Sequence, residues 1–484
     1  MNISNPSSSL LPLVVDLDGT LIKTDLLLET ANQFITRHPF CLTSLLIWLV
    51  QGKSHLKAQL AENCSIDVTS LPYNLNLISW LSGQHQLGRK LILATASHKH
   101  LAEAVATHLG FFDEVLGTTG ELNLKAGKKR DLLVSKYGEQ GFEYIGNDAA
   151  DFQVWRAANA ALVVSSSSTF IKRVSAIGNL AKTFPSERPA FLGPLIKALR
   201  PHQWLKNLLI FVPLLAAQHF GNLVSDIQAI IAFGIFGLTA SSVYLLNDLV
   251  DVTDDRHHHR KKNRPFAAGN LSLITGWLVW PLLLGISFGL TWFLLPPAFL
   301  AVLATYFTLT VAYSLRLKKT AIIDVLTLAS LYTLRIIAGA AAISVPLSFW
   351  LLTFSMFIFL SLAFIKRFSE LQSARQANLD GPLRGRGYEH QDLELVSTMG
   401  VGSGYLAVLV LALYIQDNRT SELYHAPHFI WLACPILLFW ISRVWLITHR
   451  GQMHDDPIIF AIKDRMSWLV GLCFLGAFAL AKII

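Results

Sequence analysis

The sequence predicts two parts: an N-terminal α/β domain with a Rossmann-like parallel sheet, then an all-α integral membrane bundle of about nine transmembrane helices. Three observations predict this. Hydrophobic residues make up 52% of the chain and charged residues 15%, whereas a soluble globular chain carries about 25% charged residues. Beyond Arg200 the apolar residues change from short runs to segments near the roughly 20 residues that cross a bilayer. In that second part the basic residues gather in alternate loops.

The same arithmetic excludes a disordered chain, a collagen-like fibre and a disulfide-stapled secreted domain. The four cysteines, Cys41, Cys64, Cys434 and Cys473, form no CxxC pair and no Cys/His ligand cluster, so neither structural zinc nor a redox motif is expected. Lys and Arg outnumber Asp and Glu by 40 to 32. Because the basic residues alternate with apolar segments, the excess reads as loops facing one side of a membrane, and no nucleic-acid partner is expected.

From Leu11 to about Pro185, the apolar runs Leu11–Val15, Lys90–Ala94 and Tyr144–Ile145 alternate with helical patterns of ordinary charge, as βα units around a parallel sheet do. Val164–Ser168 reads as the last strand running into a polar turn. Domain one is expected over 1–180, and a linker over 181–193 carries Pro185 and Pro189. The membrane domain is expected over 194–484. No cleavable signal peptide is expected, because Met1–Ser9 is polar and Leu10–Val15 is short.

The expected spans are 205–220, 227–247, 273–294, 297–315, 322–343, 347–365, 396–415, 427–448 and 467–484. Basic residues follow spans two (Arg256, Arg260, Lys261, Lys262, Arg264), four (Arg316, Lys318, Lys319), six (Lys366, Arg367, Arg375, Arg384, Arg386) and eight (Arg450, Lys463, Arg465). Among the opposite loops Arg419 is the clear exception. This pattern places the N-terminal domain in the cytoplasm, the C-terminus on the far side, and the protein in a bacterial inner membrane.

Val14-Val15-Asp16-Leu17-Asp18-Gly19-Thr20 puts two carboxylates at i and i+2 after an apolar strand. They point the same way at the C-terminal edge of the sheet, where open α/β sheets bind ligands. One can attack phosphorus while the other protonates the leaving oxygen, with Mg²⁺ screening the charge. This half resembles the haloacid dehalogenase-like phosphatases over nearly its whole length. The likeness implies a small helical cap over 25–85, Asp16 as nucleophile, Asp18 as general acid/base and Thr95 as phosphoryl holder. It also implies Lys129 as the neutralising cation, with Lys128 a close competitor. Gly146-Asn147-Asp148-Ala149-Ala150-Asp151 resembles the family's last acidic motif, which usually reads Gly-Asp. The metal carboxylate beside Asp16 and Asp18 then comes from Asp148 or Asp151, or Asn147 ligates through its amide oxygen.

In the membrane half, Asn247-Asp248-Leu249-Val250-Asp251-Val252-Thr253-Asp254-Asp255 places Asp248, Asp251 and Asp255 within roughly 60° on a helix, with Asn247 beside them. Three carboxylates on one stripe repel unless a divalent cation binds, and hard oxygens favour Mg²⁺, which commonly binds substrate phosphates as well. Lys261 and Arg264 follow at a distance suited to the same diphosphate. A second polar group near span five comprises Tyr313, Lys318, Asp324 and Arg335; it is expected either to line a polar cavity or, through Asp324 and Arg335, to form an internal pair.

These motifs resemble the UbiA-type membrane prenyltransferase superfamily over about 194–484. The likeness implies that Asn247, Asp248, Asp251 and Asp255 bind Mg²⁺–diphosphate. Aromatic prenyltransferases usually carry a second aspartate-rich motif after the sixth helix, where this chain has Lys366-Arg367-Phe368-Ser369-Glu370-Leu371. Together with Arg200–Asn207 and Asp456–Asp464, that stretch resembles the decaprenyl-phosphate phosphoribosyltransferase-like branch. The resemblance implies transfer of 5-phosphoribose from phosphoribosyl diphosphate to a polyprenyl phosphate. Lys206, Lys366 and Arg367 are expected on the lipid phosphate, with Asn207 beside them, and Lys261, Arg264 and Lys318 on the donor. The fused phosphatase would then remove the 5-phosphate. The alternatives are an aromatic-acceptor polyprenyltransferase using a prenyl diphosphate, beside an uncoupled or inactive phosphatase-like domain, and an ion-carrying transporter.

Overall fold

The computed structural model describes residues 10–38, 41–119, 124–376, 387–416, 424–453 and 456–484. The expected loop charges Arg384, Arg386 and Arg419 lie outside these residues. The chain divides into two compact units, 1–200 with 244–281 and 201–243 with 282–484.

The first unit is built on a six-stranded, all-parallel sheet: β1 (Leu13–Val15), β2 (Leu91–His98), β3 (Glu114–Thr118), β4 (Glu143–Gly146), β5 (Ala160–Val164) and β6 (Leu180–Phe184). Their order across the sheet is β3-β2-β1-β4-β5-β6. Side chains alternate along a strand, and the apolar runs therefore feed two cores. Leu13, Val15, Leu91 and Leu93 pack on one face, and Val14, Ile92, Ala94 and Tyr144 on the other. Being covered on both faces is what lets these strands be continuously apolar.

The chain leaves β1 towards β2 on one side and later returns to β4 on the other. That reversal opens a crevice at the C-terminal end of β1, where Asp16 and Asp18 lie. Four helices fill the expected insertion between β1 and β2: Leu26–Arg37, Leu42–Val50, Lys53–Asn63 and Leu75–Gln86.

The sheet's end differs from expectation. Val164–Ser168 is not the last strand: β5 stops at Val164, Ser167 caps the helix Ser168–Ser175 by accepting from Phe170 N–H, and β6 follows. A polar serine run after a strand suggests a turn, yet a serine before a helical pattern is equally a capping signal. β6 occupies the start of the expected linker.

Among the described residues, eight helices are long and apolar enough to cross a membrane: Leu223–Val250, Leu273–Leu294, Pro297–Leu315, Ile323–Ala342, Phe349–Gln376, His390–Ile415, Pro427–His449 and Arg465–Ile483. Small residues let them approach closely. Gly404 lies against Ile441 and Gly400 against Trp445, and Ser361 links them by donating to Gly400 O (2.7 Å) and accepting from Trp445 Nε1 (3.0 Å).

The first expected span, 205–220, does not form an α-helix of that kind. Pro201–Phe211 is an 11-residue 3-10 helix, followed by the five-residue helix Val212–Ala216. Buried Asn207 and the packing of Ile210 O against Gly339 hold it to Ile323–Ala342.

Candidate functional site

At the sheet's edge, Asp16 N–H donates to Ile145 O of β4 (3.0 Å), which seats the residue directly beyond β1. Lys129 Nζ donates to Asp16 Oδ1 (2.7 Å) and to the Tyr144 hydroxyl (2.9 Å), and Tyr144 donates to Asp151 Oδ1 (2.8 Å). Burial pushes the Asp16 carboxyl up to about 7, with Lys129 pulling against it and Asp151 and Asp18 adding to the rise. For Lys129, burial works to lower the pKa, but Asp16 and Asp151 outweigh it and the net direction is upward.

Asp18 accepts three hydrogen bonds: from Leu26 N–H (2.9 Å) on Oδ1, and from the Ser97 (2.7 Å) and Thr95 (3.2 Å) hydroxyls on Oδ2. Gly19 makes the intervening turn at φ +75°, where a Cβ would meet Asn147 Nδ2 at 2.4 Å. The Thr20 hydroxyl donates to Asn147 Oδ1 (3.0 Å).

Asp16, Asp18, Thr95, Lys129 and Asp151 thus come together in one cluster. Lys128 is exposed, so Lys129 is the lysine turned inward. Asp148 is also exposed and caps the turn Ala149–Asp151. Asp151, at 4% exposure, takes the N–H groups of Asn147 and Asp148 on Oδ2 (3.0 Å each). Sequence reasoning missed Ser97, Tyr144 and Lys57, whose Nζ donates to Ala96 O (2.5 Å) from the inserted helices. The sheet's lateral order brings in Tyr144 and Ser97, and the packing of the inserted helix Lys53–Asn63 brings in Lys57.

The aspartate stripe is also in the first unit. The helix Leu223–Val250 ends before Asp251, whose N–H bonds Asn247 O (2.9 Å) and whose carbonyl accepts from Asp255 N–H (2.8 Å) as the next helix, Val252–His257, begins. Asp248 is 1% exposed and Asp255 2%. Arg264 Nη1 lies 3.1 Å from Asp248 Oδ1 and 2.6 Å from Asp255 Oδ2, and Arg200 also pairs with Asp248 Oδ1. Asp248 Oδ2 and Asn247 Oδ1 are buried without a hydrogen-bond partner. Burial pushes the Asp255 carboxyl up to about 6, against Arg264. Asp251 is half-buried on the same stripe, and Lys261 lies on the exposed turn Lys261–Asn263. Arg200 was not among the expected site residues, although it opens the Arg200–Asn207 stretch singled out in the sequence.

Among the described residues of the second unit, three polar groups bring expected site residues together. Lys206 Nζ (2.9 Å) and Lys366 Nζ (3.4 Å) share Asp456 Oδ2, whose carboxyl they hold well below the usual range despite burial. Lys366 and Asp456 line a small cavity with Leu328, Tyr332 and Leu362. Arg335, 5% exposed, donates from Nε to Asn207 Oδ1 (3.0 Å) and from Nη2 to the Tyr306 hydroxyl (3.3 Å), with Phe236, Tyr306 and Tyr332 rings 5.2–5.5 Å away.

Asp324 does not pair with Arg335. It meets Arg367 Nε at 2.8 Å, both fully buried, and accepts from the Tyr388 hydroxyl at 2.7 Å. Arg367 also pairs with Glu370, so it faces carboxylates rather than standing beside Lys366: adjacent helical residues diverge by about 100°. Tyr313 and Lys318 are half-buried at the end of Pro297–Leu315 and in the next turn. Among the described residues, no three His, Cys, Asp or Glu side chains converge as a ready metal cluster; arginines hold the aspartate stripe and a lysine holds Asp16.

The model of the UbiA prenyltransferase family matches residues 208–470. The chain is 36% identical to a Sinorhizobium fredii protein, y4nM, over 97% of this chain and 91% of that one. The nodulation protein NoeC of Azorhizobium caulinodans is 39% identical, over 58% of this chain and 89% of its own. The decaprenyl-phosphate phosphoribosyltransferase of Mycolicibacterium smegmatis is 34% identical, over 59% of this chain and 92% of its own.

Proposed function

The chain belongs to the UbiA prenyltransferase family, and we propose that its membrane half moves 5-phosphoribose from phosphoribosyl diphosphate to a polyprenyl phosphate. The soluble half, read as a haloacid dehalogenase-like phosphatase, then removes the 5-phosphate from the lipid-linked product.

The carrying observation is the pairing at Asp248: one oxygen faces Arg200 and Arg264, and the other is buried without a hydrogen-bond partner, as is the amide oxygen of Asn247, the residue before it. An unpartnered hard oxygen on a carboxylate that also meets two guanidiniums fits Mg²⁺ together with a diphosphate. Asn247, Asp248, Asp251 and Asp255 would hold the ion, which when bound neutralises the charge that grows on departing pyrophosphate. Arg200 and Arg264 exchange their carboxylates for phosphate oxygens, a bidentate match that lysine does not offer.

On the acceptor side, the ammonium groups of Lys206 and Lys366 supply positive charge for the lipid phosphate. No acidic motif stands at 366–371, where an aromatic-acceptor enzyme would carry one. The likeness to the mycobacterial enzyme favours the same donor. A lipid phosphate oxygen attacks C1 of the ribose, the C1–O bond breaks, and pyrophosphate leaves with the electron pair. No strong base is needed, since the nucleophile is already an anion.

In the soluble half, Asp16 attacks phosphorus and the ribose oxygen leaves with a proton from Asp18; water activated by Asp18 then releases phosphate from Asp16. Asp16, Asp18 and the Asn147 amide oxygen offer hard donors for Mg²⁺ there, and Lys129 and Thr95 steady the phosphoryl group. Basic loops in alternation favour both chemistries in the cytoplasm and the C-terminus on the opposite side of an inner membrane.

Purified protein given labelled phosphoribosyl diphosphate and polyprenyl phosphate should yield lipid-soluble label in a Mg²⁺-dependent reaction. Label entering lipid only from a prenyl diphosphate and an aromatic acceptor overturns the donor assignment.

A further inference from the structure

The helix Leu26–Arg37 begins at the phosphatase-like centre, where Leu26 N–H donates to Asp18. Its other contacts lead away from that centre. Glu29, 5% exposed, makes a two-point ion pair with Arg256, 6% exposed: Nη2–Oε1 at 2.7 Å and Nη1–Oε2 at 3.1 Å. The Thr24 hydroxyl steadies Glu29 Oε1 (2.7 Å). Arg256 follows Asp255 directly, and its Nε donates to Ala267 O (3.0 Å). One guanidinium therefore ties together the two ends of the turn that carries Lys261 and Arg264.

One helical turn beyond Glu29, buried Asn32 donates to Leu249 O (2.9 Å), the carbonyl next to Asp248, and accepts from Trp277 Nε1 (2.9 Å). Carbonyls at a helix end need outside donors, and here a side chain of the soluble half supplies one. Gly269, at φ +70°, packs so tightly that an added Cβ would lie 2.8 Å from Lys23 Cβ and 3.0 Å from Pro72 Cγ.

We propose that Glu29 and Asn32 are positioning residues for the diphosphate-binding segment, so that the soluble half is a working part of the transferase as well as a second enzyme. This rests on the transferase reading above. Glu29 holds Arg256, Arg256 sets the path of the 255–267 turn, and that path decides whether Arg264 reaches Asp248 and Asp255. Asn32 holds the backbone next to Asp248. Neither residue touches the substrate.

The test uses the full chain in detergent, with Glu29→Gln, Glu29→Asp and Asn32→Ala variants whose circular dichroism matches the wild type. Two quantities are read: hydrogen exchange of amides 251–269, and calorimetric titration with Mg²⁺–pyrophosphate. Glu29→Gln and Asn32→Ala should speed exchange in that segment and weaken Mg²⁺–pyrophosphate binding by about tenfold or more, the range of a lost supporting contact; Glu29→Asp should recover part of the affinity. Tight wild-type binding that Glu29→Gln leaves unchanged overturns the positioning role, even if exchange rises. Wild-type protein that binds no Mg²⁺–pyrophosphate overturns the transferase reading and the positioning role with it.

Discussion

Arg264 lies 2.6 Å from the buried carboxylate of Asp255. An arginine that neutralises an acid in the resting protein is ready to turn to a phosphate when a divalent cation takes that acid over. Arg264→Ala should raise the KM for phosphoribosyl diphosphate by at least about tenfold, and Asp248→Asn should lower lipid labelling by about 10²–10³-fold. Excess chelator should stop labelling in the wild type. Full turnover in chelator, or in Asp248→Asn, would rule out the aspartate stripe as the donor site.

Asp16 and Lys129 form the second test, at 2.7 Å. Asp16→Asn should leave label transfer intact while the lipid product keeps its 5-phosphate, so that its mass exceeds the wild-type product by one phosphoryl group. Identical product masses from the two proteins would mean that the sheet-edge centre does not act on this lipid.

Asp25 provides a pH test. It caps Leu26–Arg37 by accepting from Leu27 N–H at 2.8 Å, yet burial, with Asp18 nearby, pushes its carboxyl up to about 6. A raised acid costs more to ionise in the folded than in the unfolded state. Its effect on stability is therefore most favourable below about pH 4 and is lost as pH rises to about 6. Asparagine caps a helix equally well and carries no charge. Asp25→Asn should stabilise the protein by about 1–2 kcal/mol at pH 7 and by almost nothing at pH 4. Melting curves at both values decide; an equal shift at the two pH values refutes the assignment.

The Asp324–Arg367 pair, fully buried at 2.8 Å, is expected to be structural. Asp324→Ala leaves a guanidinium without its acid and should cost about 3–5 kcal/mol. Tyr388→Phe, which removes the donor to Asp324 and the acceptor for Ile322 N–H, should cost about 1–3 kcal/mol. Thermal unfolding in detergent measures both. A variant that melts normally but loses turnover would place this pair in substrate binding instead.

Much of the arrangement was legible because the signals are local. Val14-Val15-Asp16-Leu17-Asp18 is strand, then two acids two residues apart, and the end of β1 at Val15 delivers both to the sheet edge. Asp248 and Asp255, seven residues and so two helical turns apart, both meet Arg264. Hydropathy counted 205–220 as a helix because it weighs composition; it does not register that Pro201–Phe211 winds as a 3-10 helix with Asn207 turned inward. The choice between Lys128 and Lys129 was equally hidden, since both neighbours have the same chemistry and only the packing of Gly127–Tyr137 buries one of them.

By itself, then, the chain's order of residues determined the parallel sheet, the apolar helices and the two acidic motifs, all of which follow from spacing along a single element. The tertiary structure decided the partners: Arg200 on Asp248, Arg367 on Asp324, Glu29 on Arg256 and Asn32 on Leu249. The last two pairs join residues 227 and 217 positions apart. No periodicity spans such a distance, because a buried charge is satisfied by whichever opposite charge the packing brings within about 3 Å, and packing is a property of the whole fold.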